Sequence, residues 1–452
     1  MTETYRLSEE NPMGDVDDDA PALRRVSYDQ TTRKSIKESA IPATTYEDLR
    51  RFDALDLYRG LLLLAIVAGT SFLFNFQLLT SPGNPPIYST GDWFSRMMFN
   101  SQPSDWLSLY GLHVITVRDF LLSGFLFAAG MSLFFWKRRR TRLQWRKRAI
   151  IGRILFRVML LVLLGIFLQS RNAENTRWVL IDPLTLIGLA TLMAFLIARG
   201  PVWWQAVIMI AILIGQFAWI ELSGPITYPA EVQGIVVSET EQATNQKSAW
   251  AKHQNVAELY DRTFLSNFPG QPDAAYRESG RTTFNVLPAT VLIMLGMLTG
   301  QWFLSRKKSR LFKVLFCGVM GAVLVLAGIG VDKWICPAIE RLLSPSWVLL
   351  AGGYSLLFFS GCAFFCEVIH ASSLFAPLRI LGRNSLLIYL TSLGFTTWFG
   401  NELFKHSQPF LSALAGGEMS AELTLLIQML LACLAAILLG WFLNQHRFYV
   451  RA

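Results

Sequence analysis

Apolar residues in this chain fall into long uninterrupted blocks that are separated by polar stretches. The blocks are about 18 to 25 residues long, which is the length an α-helix needs to cross the hydrocarbon core of a bilayer. With 52% hydrophobic residues, the pattern predicts an all-α fold, a polytopic transmembrane helical bundle of about ten spans. The predicted spans cover residues 60–80, 114–136, 150–170, 179–198, 202–222, 284–304, 311–331, 346–369, 384–400 and 421–443.

Basic residues are concentrated in loops between alternate spans. The segment "KRRRTRLQWRKR" (137–148) carries eight, "SRKKSR" (305–310) carries four, and Arg379 and Arg383 mark a third loop. Such loops lie in the cytoplasm by the positive-inside rule, and an even number of spans then leaves both termini there. The net charge of +9 therefore reports orientation and attraction to the lipid bilayer, and we expect no nucleic-acid partner.

The polar regions outside the spans divide the chain into a tail and one transmembrane domain. Residues 1–45 are polar, contain "GDVDDDAP" and lack an apolar signal region, so we expect a disordered cytoplasmic tail before the domain at 46–452. Two extracytoplasmic loops, 81–113 and 223–283, exceed simple connections. Their tryptophans and tyrosines are typical of a membrane interface and equally of substrate stacking.

Cysteines and small residues give weaker signals. The five cysteines show neither a disulfide framework nor zinc-ligand spacing, so no metal is predicted, and they are expected to pack as small hydrophobes. Gly296 and Gly300 form a GxxxG pair, which allows either close helix packing inside the bundle or a homodimer.

Ionisable residues near the span ends are the main candidates for function, because a charge at the helix centre costs at least ~2.5 kcal/mol on insertion scales. His113, Arg118 and Asp119 begin the second span. Asp182 precedes Pro183 at the start of the fourth span, where it suits an N-cap as well as a binding role. Asn384 opens the ninth span.

The first span begins with "FDALDLYRG", which places Asp53, Asp56 and Arg59 directly before an apolar run. Carboxylates are favoured in the first turn of a helix, and Asp56 and Arg59 have the i,i+3 spacing of a local ion pair. That interpretation explains the two aspartates. It does not explain their combination with the following glycine and the apolar run.

The chain resembles a family of membrane acyltransferases, heparan-alpha-glucosaminide N-acetyltransferase and related bacterial membrane proteins. The resemblance rests on "LDLYRG", "DFLLSGFLFAAGMSLFF", "VLIDPLTLIGLA", "NVLPATVLIMLGMLTG", "DKWICPAIERLLSPSWVLLAGG" and "LRILGRNSLLIYL", which occur in this order between about residues 50 and 400. Two positions depart from the family pattern. Pro103 stands where the family has a loop histidine, and Thr70 stands where it has an asparagine of the first span.

The resemblance implies an integral protein of a bacterial inner membrane that transfers an acetyl group from cytoplasmic acetyl-CoA to an extracytoplasmic sugar amine or hydroxyl, on a glycan or glycolipid. With the loop histidine replaced, His113 is the candidate general base, because a neutral imidazole can accept the acceptor's proton. The candidate catalytic residues are His113 and Asp119, and the candidate binding residues are Asp56, Arg59, Thr70, Arg118, Asp182 and Asn384.

Two alternatives remain open. A non-enzymatic transporter or flippase for a glycan or lipid would line its passage with the same buried charges. A member of the acyltransferase family that has lost catalysis would show the same motifs, and would fit the replacements at Pro103 and Thr70.

Overall fold

A computed structural model describes residues 52–79, 117–142, 145–170, 182–225, 249–250, 255–265, 281–305, 308–415, 421–446 and the single positions 176, 178, 180 and 448. These residues form thirteen α-helices and no strand. The predicted all-α class is confirmed. The tail at 1–45, the loop at 81–113, and the predicted residues Pro103 and His113 lie outside the described residues.

The helices are numbered here in chain order. They are α1 (Asp53–Leu79), α2 (Val117–Arg142), α3 (Lys147–Gln169), α4 (Pro183–Ile197), α5 (Val202–Ser223), α6 (Val256–Leu265), α7 (Val286–Phe303), α8 (Arg310–Trp334), α9 (Pro345–Ala363), α10 (Ala376–Arg383), α11 (Ser385–Ser392), α12 (Phe395–Ala415) and α13 (Ala421–Gln445). A short π-helix, Phe364–Val368, continues α9.

Eight described helices are long and apolar enough to cross a membrane: α1, α2, α3, α5, α7, α8, α9 and α13. The predicted fourth span is the apolar helix α4, which has 15 residues. The predicted ninth span, 384–400, is wrong as a single helix, because the chain breaks at Leu393 and Gly394 between α11 and α12. Helix α12 then runs on to Ala415, well past the end of the predicted span.

Two further helices lie where the sequence predicts loops. Helix α6 lies inside the predicted loop 223–283, and α10 lies in the third basic loop. Both are short, so a hydropathy window of membrane-spanning length averages them with their polar neighbours. Each buries an apolar side: Val256 packs in a cluster with Ile220 and Trp250, and Leu381 packs in a cluster with Leu63 and Val67 of α1.

Helices α2 and α7 pack with their backbones in direct contact. A Cβ atom on Gly130 would overlap the carbonyl oxygen of Ile293, and one on Gly296 would overlap the carbonyl oxygen of Phe127. Gly300 faces the ring of Phe134, also on α2. Of the two roles open to the GxxxG pair, the structure shows close packing inside the bundle.

The basic loops meet at one end of the bundle, called here the basic end. Lys137 near the end of α2 donates to the carbonyl of Ala198 after α4 (3.3 Å), and Arg383 in the third basic loop donates to Asn444 near the end of α13 (3.3 Å). Among the described residues, the basic end comprises 52–59, 137–142, 145–148, 198–202, 303–305, 308–313, 364–384, 443–446 and 448. The described chain therefore enters and leaves the bundle at the same end, as an even span count predicts.

Candidate functional site

The first turns of α1 are held against α10 by two ion pairs. Asp53 accepts from a guanidinium nitrogen of Arg379 (2.6 Å), and a carboxylate oxygen of Asp56 lies 3.7 Å from Nε of Arg383. The aspartates are three residues apart and the arginines four apart, so each pair lies on one face of its helix. We call this contact between α1 and α10 the clasp.

Two glycines allow the clasp to close. A Cβ atom on Gly60 would overlap the carbonyl oxygen of Leu378, and one on Gly382 would overlap the carbonyl oxygen of Asp56. The two backbones therefore touch, at a separation that any larger residue would prevent. The motifs "LDLYRG" and "LRILGRN" thus bind each other, and Asp56, predicted as a binding residue, takes part in this contact between helices.

Tyr58, the residue directly before Arg59, is anchored in the core. Tyr58 is fully buried among aromatic rings, with centroids 5.1 Å from Phe358, 5.8 Å from Phe127 and 6.0 Å from Phe359. A residue locked by packing fixes the rotation of its helix, and so fixes the direction in which the neighbouring side chain leaves the backbone. The position of Arg59 is therefore set by Tyr58 and by the clasp.

Arg59 is half-buried and reaches from α1 to α2, where its guanidinium donates to the hydroxyl of Ser132. The Ser132 hydroxyl in turn donates to the carbonyl of Ala128, one turn back in its own helix. Because that proton is used within α2, the hydroxyl oxygen presents its lone pairs to Arg59. The arginine of "LDLYRG" thus lies inside the bundle, within two membrane-spanning helices.

A second arginine, Arg157, lies within another membrane-spanning helix, α3. Arg157 is half-buried, and its Nε is shielded from solvent with no hydrogen-bond acceptor among the described residues. The sequence analysis did not select this residue. The signal was present, because an arginine within the apolar run 150–170 is as unusual as the charges that were chosen.

Asn384 also lies at the basic end and is fully buried between α10 and α11. Its side-chain nitrogen donates to the carbonyl of Phe448 (3.1 Å), so it ties the end of the chain to the clasp. It directly follows Arg383, the partner of Asp56. Three predicted binding residues, Asp56, Arg59 and Asn384, therefore lie at the same end of the bundle.

The remaining described candidates lie elsewhere. Asp182 is the N-cap of α4, as one of its two interpretations predicts: it accepts from the backbone N–H of Leu184 (2.9 Å) and from Gln169 (3.2 Å). Thr70 bonds back to the carbonyls of its own helix at 3.0 and 3.1 Å. Asp119 is half-buried in the first turn of α2. The side chain of Arg118 lies outside the described part of the structure.

At the end opposite the basic end, called here the distal end, segments between the described helices contact each other. Arg281 pairs with Glu340 (2.6 Å), and Asn285 donates to the carbonyl of Arg341 (2.6 Å). Cys336 is buried beneath these contacts, and burial raises the pKa of its thiol. A protonated, buried thiol is a poor nucleophile, so Cys336 is a packing residue.

The fold and the charged residues at its basic end define an all-α integral membrane protein. Neither a protein-family model nor a curated protein matches the chain. Function is therefore inferred from the residues themselves.

Proposed function

We propose that the protein is a membrane acyltransferase that takes the acetyl group of acetyl-CoA and transfers it to an extracytoplasmic glycan or glycolipid. The observation that supports this most directly is Arg59, which the clasp and Tyr58 direct into the bundle toward Ser132. A guanidinium carries a permanent charge and a planar set of donors that match phosphate oxygens. Acetyl-CoA carries phosphates at the end remote from its thioester.

The orientation of the protein supports a cytoplasmic donor. The basic loops meet at one end of the bundle, and the positive-inside rule assigns that end to the cytoplasm. Arg59 and Asn384 belong to the same end, so the donor's phosphates would bind where acetyl-CoA is present. The membrane in question would be the inner membrane of a bacterium.

The reaction needs a nucleophile, a base and a route for the leaving thiol. The acceptor's amine nitrogen or hydroxyl oxygen attacks the thioester carbonyl, the new C–N or C–O bond forms, and the C–S bond breaks. The acceptor's proton passes to a base, for which His113 is the candidate, and the coenzyme leaves as a thiolate that takes up a proton. Asp119 lies in the first turn of α2, six residues after His113 in sequence, so a role in positioning the base suits it.

The proposal is tested by heating the purified protein with and without acetyl-CoA. A ligand that binds only the folded state adds about 2.7 kcal/mol to the free energy of unfolding at a hundred times its dissociation constant, so the unfolding midpoint should rise. Sodium acetate at the same concentration is the control and should leave it unchanged. Transfer of labelled acetyl to an amino sugar or a sugar hydroxyl completes the test. Absence of both protection and transfer would reject an acetyl-CoA-dependent enzyme.

A transporter or flippase is the second candidate, and the observation that favours it is that Arg59 and Arg157 both lie in membrane-spanning helices. Cations at that depth commonly line a passage for anionic substrates. In reconstituted vesicles, movement of a labelled anionic glycolipid between leaflets without acetyl transfer would favour this candidate over the enzyme.

A further inference from the structure

Helix α6, at the distal end, has an unusual distribution of polar and apolar side chains. Leu259, Tyr260 and Phe264 are exposed, and 58% of the surface of Tyr260 is accessible. Glu258 and Asp261, on the opposite side of the helix, are buried. A helix on a water-facing surface does the reverse, because it turns its apolar side to the protein and its polar side to water. The exposed side of α6 therefore lacks the composition expected next to water.

The buried polar side chains of α6 are engaged by the protein. Asn255 caps the helix by accepting from a backbone N–H of its first turn (2.9 Å), and Asp261 accepts from the backbone N–H of Thr283 just before α7 (3.3 Å). On the exposed side, the hydroxyl of Thr263 donates to the carbonyl of Leu259 in the same helix (3.0 Å). The polar side of α6 is thus fixed toward the protein, and an exposed hydroxyl is satisfied within the helix.

Aromatic contacts place the exposed side of α6 at the level where membrane-spanning helices end. The ring of Trp219, four residues before the end of α5, has its centroid 5.7 Å from that of Tyr260 and 4.2 Å from that of Phe284. Phe284 lies at the start of the span Thr283–Phe303. Leu222, in the last turn of α5, is 87% exposed. The apolar outer surface of α5 therefore continues into the exposed side of α6.

We infer that α6 lies in the interfacial layer of the bilayer at the distal end, with Leu259, Tyr260 and Phe264 against lipid and the acidic side against the protein. Tryptophan and tyrosine are enriched at this boundary. An interfacial helix buries its apolar face about 5 to 10 Å into the boundary between headgroups and acyl chains. Part of the predicted loop 223–283 is therefore held at the membrane surface. The inference does not depend on the proposed acetyl transfer.

The experiment uses the full chain in phosphatidylcholine nanodiscs, with a nitroxide spin label on one introduced cysteine. The test variants are Leu259→Cys and Tyr260→Cys. Ile214→Cys, exposed near the middle of α5, is the control for lipid, and Lys308→Cys, exposed in the second basic loop, is the control for water. Collisions of the label with molecular oxygen, which concentrates in lipid, are compared with collisions with a nickel chelate, which stays in water.

The ratio of oxygen to nickel collisions at Leu259 and Tyr260 should be several-fold higher than at Lys308 and should lie below that at Ile214, because the interface is shallower than the middle of a span. Ala257→Cys is the matched control within α6, since Ala257 is buried and its label should collide rarely with both reagents. The wild type, taken through the same labelling, gives the background from the five native cysteines. Unfolding midpoints equal to that of the wild type show that the labelled variants are folded.

Two results would overturn the inference. A ratio at both test positions as low as that at Lys308 would place the exposed side of α6 in water, as expected for an aromatic surface that stacks on sugar rings. Collision rates as low as those at Ala257 for both reagents would show that protein covers this side, either another part of the chain or a second copy. If one test variant does not fold, Phe264→Cys takes its place and the same outcomes apply.

Discussion

Charged residues of α1 make two kinds of contact near the basic end, and the contacts differ in their partners. In the clasp, Asp53 and Asp56 of α1 face Arg379 and Arg383 of α10, so every charge meets its opposite. A few residues along α1, Arg59 reaches a different helix, and its guanidinium donates to the uncharged hydroxyl of Ser132 on α2.

The difference separates a structural contact from a candidate binding site. Opposite charges joined by touching backbones hold two helices together, and nothing needs to be added to complete them. An arginine within a membrane-spanning helix is costly to place there, and such residues commonly mark a binding site or a passage. The predictions below test whether the clasp carries stability while Arg59 and Ser132 carry binding.

The largest effect is expected from closing the space between the clasp helices. Gly60→Ala places a Cβ atom against the carbonyl of Leu378, and α1 and α10 must separate, at about 3 kcal/mol of unfolding free energy. The control is Gly361→Ala in α9, where a Cβ atom meets nothing within 4 Å and helix propensity adds up to about 1 kcal/mol. Chemical unfolding monitored by tryptophan fluorescence measures the free energy of unfolding of both variants. Equal stabilities for the two variants would rule out backbone contact in the clasp.

The next effect concerns the ion pairs of the clasp. Asp53→Asn removes the charge that pairs with Arg379, and both side chains are only 14% exposed. We expect the free energy of unfolding to fall by about 2 kcal/mol, a value between those typical of surface and of buried ion pairs. Glu367→Gln breaks a pair whose arginine, Arg310, is 57% exposed, and should cost less than about 1 kcal/mol. The same unfolding assay compares them. If Glu367→Gln were the more destabilising change, burial would not decide the strength of these pairs.

The smallest change in stability is expected at Ser132. Ser132→Ala removes the acceptor of Arg59, and because Arg59 is half-buried the free energy of unfolding should fall by less than about 1 kcal/mol. Binding of coenzyme A should weaken about fivefold. Thr70→Val removes a hydroxyl that bonds only to its own helix backbone among the described residues, and should leave the affinity unchanged. If Thr70→Val bound coenzyme A more weakly than Ser132→Ala does, the binding site would have to lie further along α1, near Thr70.

The sequence predicts the membrane helices well because each long apolar block is a local signal. Eight of the described helices meet the requirement of a span, and α4 occupies the fourth predicted span. It does not predict the break at Leu393 and Gly394, because that break depends on how α11 and α12 pack against their neighbours. Helix α10 is missed because it has only eight residues.

The site is predicted in part, and the missing part is its long-range pairing. Asp56 and Arg59 were selected from the sequence as unusual residues, but Arg383 and Ser132, which they contact, lie 327 and 73 positions away. Arg379 and Arg383 were read as charges that set topology, although they also bind the first helix. Contacts between residues so far apart in sequence depend on how the whole bundle packs. A pattern along the chain does not contain that information.

The central claim is that Arg59 binds the phosphate of the acetyl donor, and Arg59→Lys tests it most directly. Lysine keeps the charge but loses the planar donors, so calorimetric titration with acetyl-CoA should show about tenfold weaker binding than the wild type. The unfolding midpoints of the two ligand-free proteins should agree, because the clasp is untouched. Equal affinities of the wild type and Arg59→Lys for acetyl-CoA would contradict the account and leave Arg59 as a structural contact to Ser132.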